Sequence, residues 1–165
     1  MKVVVNTGPL VFLSKINRLA ILKDFGKIIV PKTVLSEIKY KKDEVSVAVS
    51  EATADWLILK SAKDNNLLKV LTNELDGGEA EVICLALEEK AAWVVLDDQD
   101  ARRYAHRYGL NVIGTLGLLA WAKKTGMIAN FKSEVEKLRK AGFYATVELV
   151  EKLLREVGEG HKKHG

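Results

Sequence analysis

Short apolar runs alternate with helical patterns along this chain, and that alternation leaves few folds open. Val3-Val4-Val5 is wholly apolar, and Lys27 to Val30, Trp56 to Leu59, Trp93 to Leu96 and Asn111 to Ile113 are further short strand-like runs. Between them lie helical stretches: Leu10 to Lys15, Pro31 to Tyr40, Asp43 to Ala54, Asp64 to Leu75, Glu79 to Glu89 and Gln99 to Tyr108. Strands that show no polar alternation are buried on both faces, which points to βαβ units and a parallel sheet. The expected fold is therefore α/β: a three-layer α/β/α domain with a central parallel sheet of four to five strands. Asn17 is expected to cap a helix reaching Leu22, and Pro31 to open its helix from the first turn. Gly77-Gly78 is expected to break the helix before it. Helices over Thr115 to Lys124, Glu134 to Ala141 and Thr146 to Val157 follow the last strand. No repeat or linker divides the chain, so residues 1–157 are read as a single domain and 158–165 as a flexible polar tail.

Composition narrows the class. Hydrophobic residues make up 48% and charged residues 29% of the 165, as in a soluble globular protein. No apolar run approaches the ~18 residues of a membrane span. Met1-Lys2 runs at once into a strand, so no signal peptide is expected. Cys84 is the one cysteine. It sits in an apolar stretch and reads as a packing residue, in keeping with a cytoplasmic location. There is no G-x-G-x-x-G after the first strand, no Walker A sequence and no G-x-S-x-G, so dinucleotide, NTP and serine-hydrolase chemistry have no anchor. His161 and His164 have an H-x-x-H spacing but fall in the polar tail.

What remains is a set of acids with an amide at its head. Glu37, Glu79, Asp98 and Asp100 each follow an apolar run or open a helical pattern, with Glu81 and Asp97 beside two of them. The first strand ends at a comparable place, but in Asn6. In open α/β sheets ligands bind beyond the carboxyl ends of the strands. Carboxylates gathered there suit a hard divalent cation, which takes oxygen ligands, and two-metal phosphodiester chemistry uses several of them. Asp98 and Asp100 are one residue apart at a strand-to-helix turn and are expected to share one space. Glu79 and Glu81 are two apart on a helix, so only one should face a metal, and Glu79 is favoured. Thr7 is expected either to cap a helix or to bond a metal ligand. Acids in a first helical turn also complement the helix dipole, an alternative that explains each of them singly.

Net charge is +4 and the excess is concentrated. Arg102, Arg103, His106 and Arg107 follow the acidic pair, where they are expected to meet the phosphates of a phosphodiester substrate. Lys39, Lys41 and Lys42 form a second group, read equally well as a solvated helix face.

Taken together, Val3-Val4-Val5-Asn6-Thr7, Glu37, Gly78-Glu79-Ala80-Glu81 and Leu96-Asp97-Asp98-Gln99-Asp100 resemble a PIN domain, the small metal-dependent ribonuclease fold that includes VapC-type toxins. Asn-Thr-x-Pro-Leu and Val112-Ile113-Gly114-Thr115-Leu116-Gly117 are similar to a poorly characterised prokaryotic branch of such proteins. The resemblance implies Mg²⁺- or Mn²⁺-dependent cleavage of single-stranded RNA, as the toxin of a pair neutralised by a small antitoxin. It implies metal ligation by Glu37, Glu79 and Asp98, support from Asp100 or Asp97, and more distant roles for Thr7 and Glu81. The usual family member carries Asp where this chain has Asn6, so activity is expected to be weakened. The alternative is a catalytically impaired module that binds RNA or a protein. A homodimer is also expected, both from the family and from apolar positions (Phe131, Val135, Leu138, Phe143, Val150, Leu153, Leu154) near the C-terminus, which would serve equally as core within the chain.

Overall fold

The computed structural model describes residues 1–160, so His161 and His164 lie outside the described residues. The chain divides into two compact units, the first Met1–Gly114 and the second beginning at Thr115.

The first unit holds a five-stranded sheet of β1 (Lys2–Val5), β2 (Lys27–Pro31), β3 (Ile58–Lys60), β4 (Trp93–Val95) and β5 (Val112–Ile113). The strand order is β3-β2-β1-β4-β5, and every pairing is parallel. The α/β expectation is met, at five strands. The runs that nominated the strands do so because both faces are covered: Val3, Val4, Val5, Val94 and Val95 are fully buried. β1 lies at the centre with Val5 opposite Val95. From β1 the chain proceeds through β2 and β3 to one edge, and from β4 to β5 at the other. That reversal opens a crevice beyond the carboxyl ends of β1 and β4.

The helices of this unit are α1 (Thr7–Lys15), α2 (Ile21–Phe25), α3 (Lys32–Tyr40), α4 (Glu44–Asp55), α5 (Asn65–Thr72), α6 (Gly77–Glu89) and α7 (Gln99–Arg107). α6 crosses β1, β2 and β4, while α5 packs on its outer side. α6 is consequently buried almost all round, from Ala80 through Ala86, rather than on one stripe. Val4, Ile29, Val94 and Leu96 meet α6 from the sheet. Alternation along a strand sends Val3, Val5 and Val95 to the opposite face, where burial is as complete.

Three boundaries differ from expectation. Asn17 caps nothing: it follows α1 with φ 58°, a left-handed conformation that asparagine tolerates, and α2 starts only at Ile21. Pro31 closes β2, opposite Lys60, rather than opening α3. Gly77-Gly78 are the first residues of α6 and not the end of α5.

The second unit is three helices, α8 (Thr115–Lys124), α9 (Phe131–Lys140) and α10 (Val147–Glu156), each packed on the other two. Phe131, Val135, Leu138, Val150 and Leu153 are buried within the chain, and Phe143 and Leu154 are half-buried. The five buried ones are core residues, as the second of the two readings of these positions has it. Glu159 accepts from the N–H groups of Phe131 at 2.7 Å and Lys132 at 3.1 Å, tying the start of α9 to the residues after α10.

Among the described residues no helix is long and apolar enough to cross a membrane.

Candidate metal centre

The crevice at the sheet's switch point is a cavity of about 810 Å³, lined by Asn6, Thr7, Gly8, Thr33, Glu37, Asp76, Gly78, Glu79, Glu81, Asp97 and Asp98, among others. Each arrives for a local reason. Asn6 follows β1 with extended backbone (φ −82°, ψ 171°) and stands before α1, yet its side chain makes no capping hydrogen bond. Asparagine ordinarily caps in that position, so here its amide is left to the cavity. Its backbone N–H donates to Val95 O at 3.1 Å and fixes it beside the end of β4. Asp97 and Asp98 follow β4 after one residue, Leu96.

Asp98 caps α7: the Ala101 N–H donates to its Oδ2 at 2.9 Å. Asp76 caps α6 in the same way, with the Glu79 N–H donating to Oδ1 at 2.8 Å. Both carboxylates therefore sit on positive helix ends, which favours their charge. Glu79, in the first turn of α6, lies between them. Its Oε2 is buried without a hydrogen-bond partner. Burial first, then a hydrogen bond and repulsion from Asp76, then repulsion from Asp98, push the Glu79 carboxyl up to about 9. Asp76 is held below its ordinary value, chiefly by the hydrogen bond from Glu79. Three carboxyl groups thus form a chain, Asp76–Glu79–Asp98, in which the middle one carries a proton at neutral pH.

Glu37 comes from α3 on the other side. It is exposed, and Thr7 Oγ1 donates to its Oε2 at 3.3 Å. Thr7 is the first residue of α1 and not its cap. A Cβ placed on Gly78 would meet Asp76 Oδ1 at 3.5 Å and Glu37 Oε1 at 3.9 Å, so the glycine lies in the narrow part of the cavity between those two acids. Asp97 is closed in by glycines as well. A Cβ on Gly114 would fall 2.9 Å from Asp97 Oδ1 and 3.5 Å from an Arg102 nitrogen. Gly114→Ala is accordingly expected to push the Asp97 carboxylate aside. The checks are a loss of divalent-ion affinity with little change in Tm, and a shifted Asp97 in a crystal structure of the variant.

Other residues singled out by sequence are set apart. Glu81 lines the cavity but is engaged, accepting from Thr33 Oγ1 at 2.7 Å and from the Ala62 N–H at 3.3 Å. Asp100 is exposed and paired with Arg103 on its own helix. Asp98 turns back onto the α7 amides as a cap at the cavity wall, and a residue two positions further round α7 faces elsewhere, so the two do not share one space. Arg103, His106 and Arg107 are exposed and are not among the cavity's lining residues. Arg107 lies over the Tyr104 ring at 5.1 Å. Asp76 was not singled out, although Asp-x-x-Glu ahead of an apolar run is a helix-start signature that would have found it.

Among the described residues no three acidic, imidazole or thiol side chains stand together at ligand distance. The donor set nevertheless fits a hard cation. It is all oxygen, and Mg²⁺ commonly takes only one or two carboxylates and keeps several waters. The orphaned Glu79 oxygen and the shared proton mark where positive charge is short.

The sequence comparison supplies the family. The PIN-domain family DUF3368 matches residues 2–159. The chain belongs to it. The PIN-like resemblance of its motifs is thereby borne out, and this PIN domain joins a nuclease-type superfamily whose members are generally divalent-metal dependent. Among solved structures it is similar to a PilT N-terminus domain protein from the hyperthermophilic archaeon Sulfolobus solfataricus P2, at 22% identity and a TM-score of 0.49, over 74% of this chain and 93% of that one. No curated protein matches it.

Proposed function

We propose that this PIN domain is a Mg²⁺- or Mn²⁺-dependent endoribonuclease whose activity is weakened by Asn6. The observation that carries the reading is the Asp76–Glu79–Asp98 chain, with its partnerless buried oxygen, at the end of the central strands. Glu79, Asp98 and Glu37 would hold the cation, with Asp97 and Asp76 adjacent. When bound, a divalent cation polarises a phosphodiester and lowers the pKa of water beside it. The chain's own part is to fix the acids. The α7 amide locks Asp98, the α6 amide locks Asp76, and Thr7 orients Glu37. Asn6 offers a carbonyl oxygen to the same space but no charge.

A second reading is favoured by that same residue. If the missing charge leaves the cation too weakly held, the chain is a catalytically impaired RNA- or protein-binding module. One assay separates the two. Purified protein is incubated with single-stranded RNA and Mn²⁺, beside Asp98→Asn. Metal-dependent cleavage that falls at least about a hundredfold in Asp98→Asn, ~2.7 kcal/mol in the barrier, supports the nuclease. Equal traces of cleavage in both proteins would trace to a contaminant and remove the support.

A further inference from the structure

We infer that single-stranded RNA is held beside the acids by the C-terminal turn of α3 and the face of α1 next to it, with Lys15 and Lys41 taking phosphates and Tyr40 stacking a base. This rests on the ribonuclease reading above and gives that site its substrate path. A groove of about 170 Å³ adjoins the acidic cavity, and Thr7 and Glu37 line both. Lys15 and Lys41 stand on its walls. Lys41 is four residues after Glu37, one helical turn of ~5.4 Å along α3, which is on the order of one nucleotide step. A strand whose scissile phosphate lies at the acids therefore has a neighbouring phosphate within reach of these lysines.

The charges lining the groove balance, two lysines against two acids, while the segment from Lys39 to Asp43 carries three lysines against one acid. The groove's acids are Glu37, which faces the proposed cation, and Asp43, whose Oδ1 already accepts from the Ser46 N–H at 3.0 Å as the cap of α4. The lysines are exposed. Lys15 Nζ lies 5.5 Å from the Phe12 ring, and no carboxylate pairs with it or with Lys41 among the ion pairs described.

Tyr40 is the second observation. It is 87% exposed, the most exposed large apolar side chain of the described residues, and it stands between Lys39 and the Lys41-Lys42 pair. An exposed ring has no packing role to explain it. Tyr40 is not itself a lining residue of the groove but is the chain neighbour of Lys41, which is, and an exposed ring among lysines suits single strands because any unstacked base offers a π-face. Duplex RNA keeps its bases stacked and withholds them. By contrast, on α7, Arg103 is held by Asp100 and Arg107 by Tyr104.

The test is fluorescence anisotropy of a labelled single-stranded RNA at several salt concentrations in EDTA, where nothing is hydrolysed. Lys15→Ala/Lys41→Ala is expected to weaken binding at least tenfold at low salt. It should also reduce the slope of log K against log salt by about 1.4, at ~0.7 per phosphate contact. Tyr40→Ala is expected to weaken binding about tenfold with the slope unchanged, and a duplex of the same sequence to bind more weakly than the single strand. Melting curves confirm folding of each variant. Wild-type affinity in both variants, tighter binding of the duplex, or no RNA binding by the wild type would each overturn the inference. Cleavage is not read in this experiment, so the two ideas fail separately. Binding lost in these variants from a protein that never cuts RNA leaves the surface standing without the nuclease. Cutting that ignores these substitutions does the reverse.

Discussion

Asn6→Asp is expected to tighten divalent-cation binding at least tenfold, ~1.4 kcal/mol, and to raise RNA cleavage with it. Asn6 sits at the end of the central strand, its side chain unused by the helix it precedes and free to face the cavity. A unit charge about 4 Å from a cation is worth ~4 kcal/mol per unit of the cation's charge at an effective dielectric near 20. Part of that is offset by repulsion from the acids already present. Without a cation the same repulsion acts alone. The variant should therefore melt lower than wild type in EDTA and regain more than the difference on adding Mn²⁺. Thermal melts with and without the ion check both halves. A variant that gains neither affinity nor cleavage would show that this position does not face the metal.

Glu79→Gln is expected to remove the ion-dependent stabilisation while leaving the metal-free fold at least as stable as wild type. The folded chain holds the Glu79 proton up to about 9, whereas the ordinary value is 4.5. Across that window the native state binds a proton that the unfolded chain releases, so stability declines as pH climbs through it. Glu79→Gln copies the protonated form and escapes the decline. Its melting temperature should match wild type below about pH 4.5, exceed it increasingly as pH climbs toward 9, and keep a constant lead beyond that. A cation displaces the same proton. Wild-type affinity for Mn²⁺ should then rise with pH toward 9, and at 100 times Kd the ion should add ~2.7 kcal/mol, roughly 5–10 °C in Tm for a chain of this size. Glu79→Gln should show almost none of this. A wild-type melting temperature that rises from pH 5 to 9 without metal would contradict the placement of Glu79.

Much of the fold was legible because the physics that buries a strand on both faces also writes an unbroken apolar run. Val3 to Val5 and Trp93 to Val95 are such runs, and both lie at the sheet's centre. Boundaries were less legible where one residue serves two conformations. Asn17 suits a cap and a left-handed turn equally, and Pro31 suits a helix start and a strand end; only packing decides. At the site, residue type and spacing brought out Glu37, Glu79, Asp97 and Asp98, which line one cavity. Spacing misplaced Asp100, because the helical turn that sets Asp98 against the α7 amides as a cap directs Asp100 away to Arg103. Asp76 was passed over because its cap role hides a second contact, with the Glu79 carboxyl, that exists only once α6 is folded. Burial of Glu79 between two other acids is a tertiary fact, and no local pattern announces it.

The central claim is that these acids form a divalent-cation site. Calorimetric titration of Mn²⁺ into the metal-free protein at pH 7, repeated in buffers of different ionisation enthalpy, tests it most directly. The expected result is one saturable site that releases close to one proton per ion from Glu79, with tighter binding in Asn6→Asp and none in Glu79→Gln. Folded wild-type and Asn6→Asp proteins that both take up no Mn²⁺, or that bind it without releasing a proton, would contradict it.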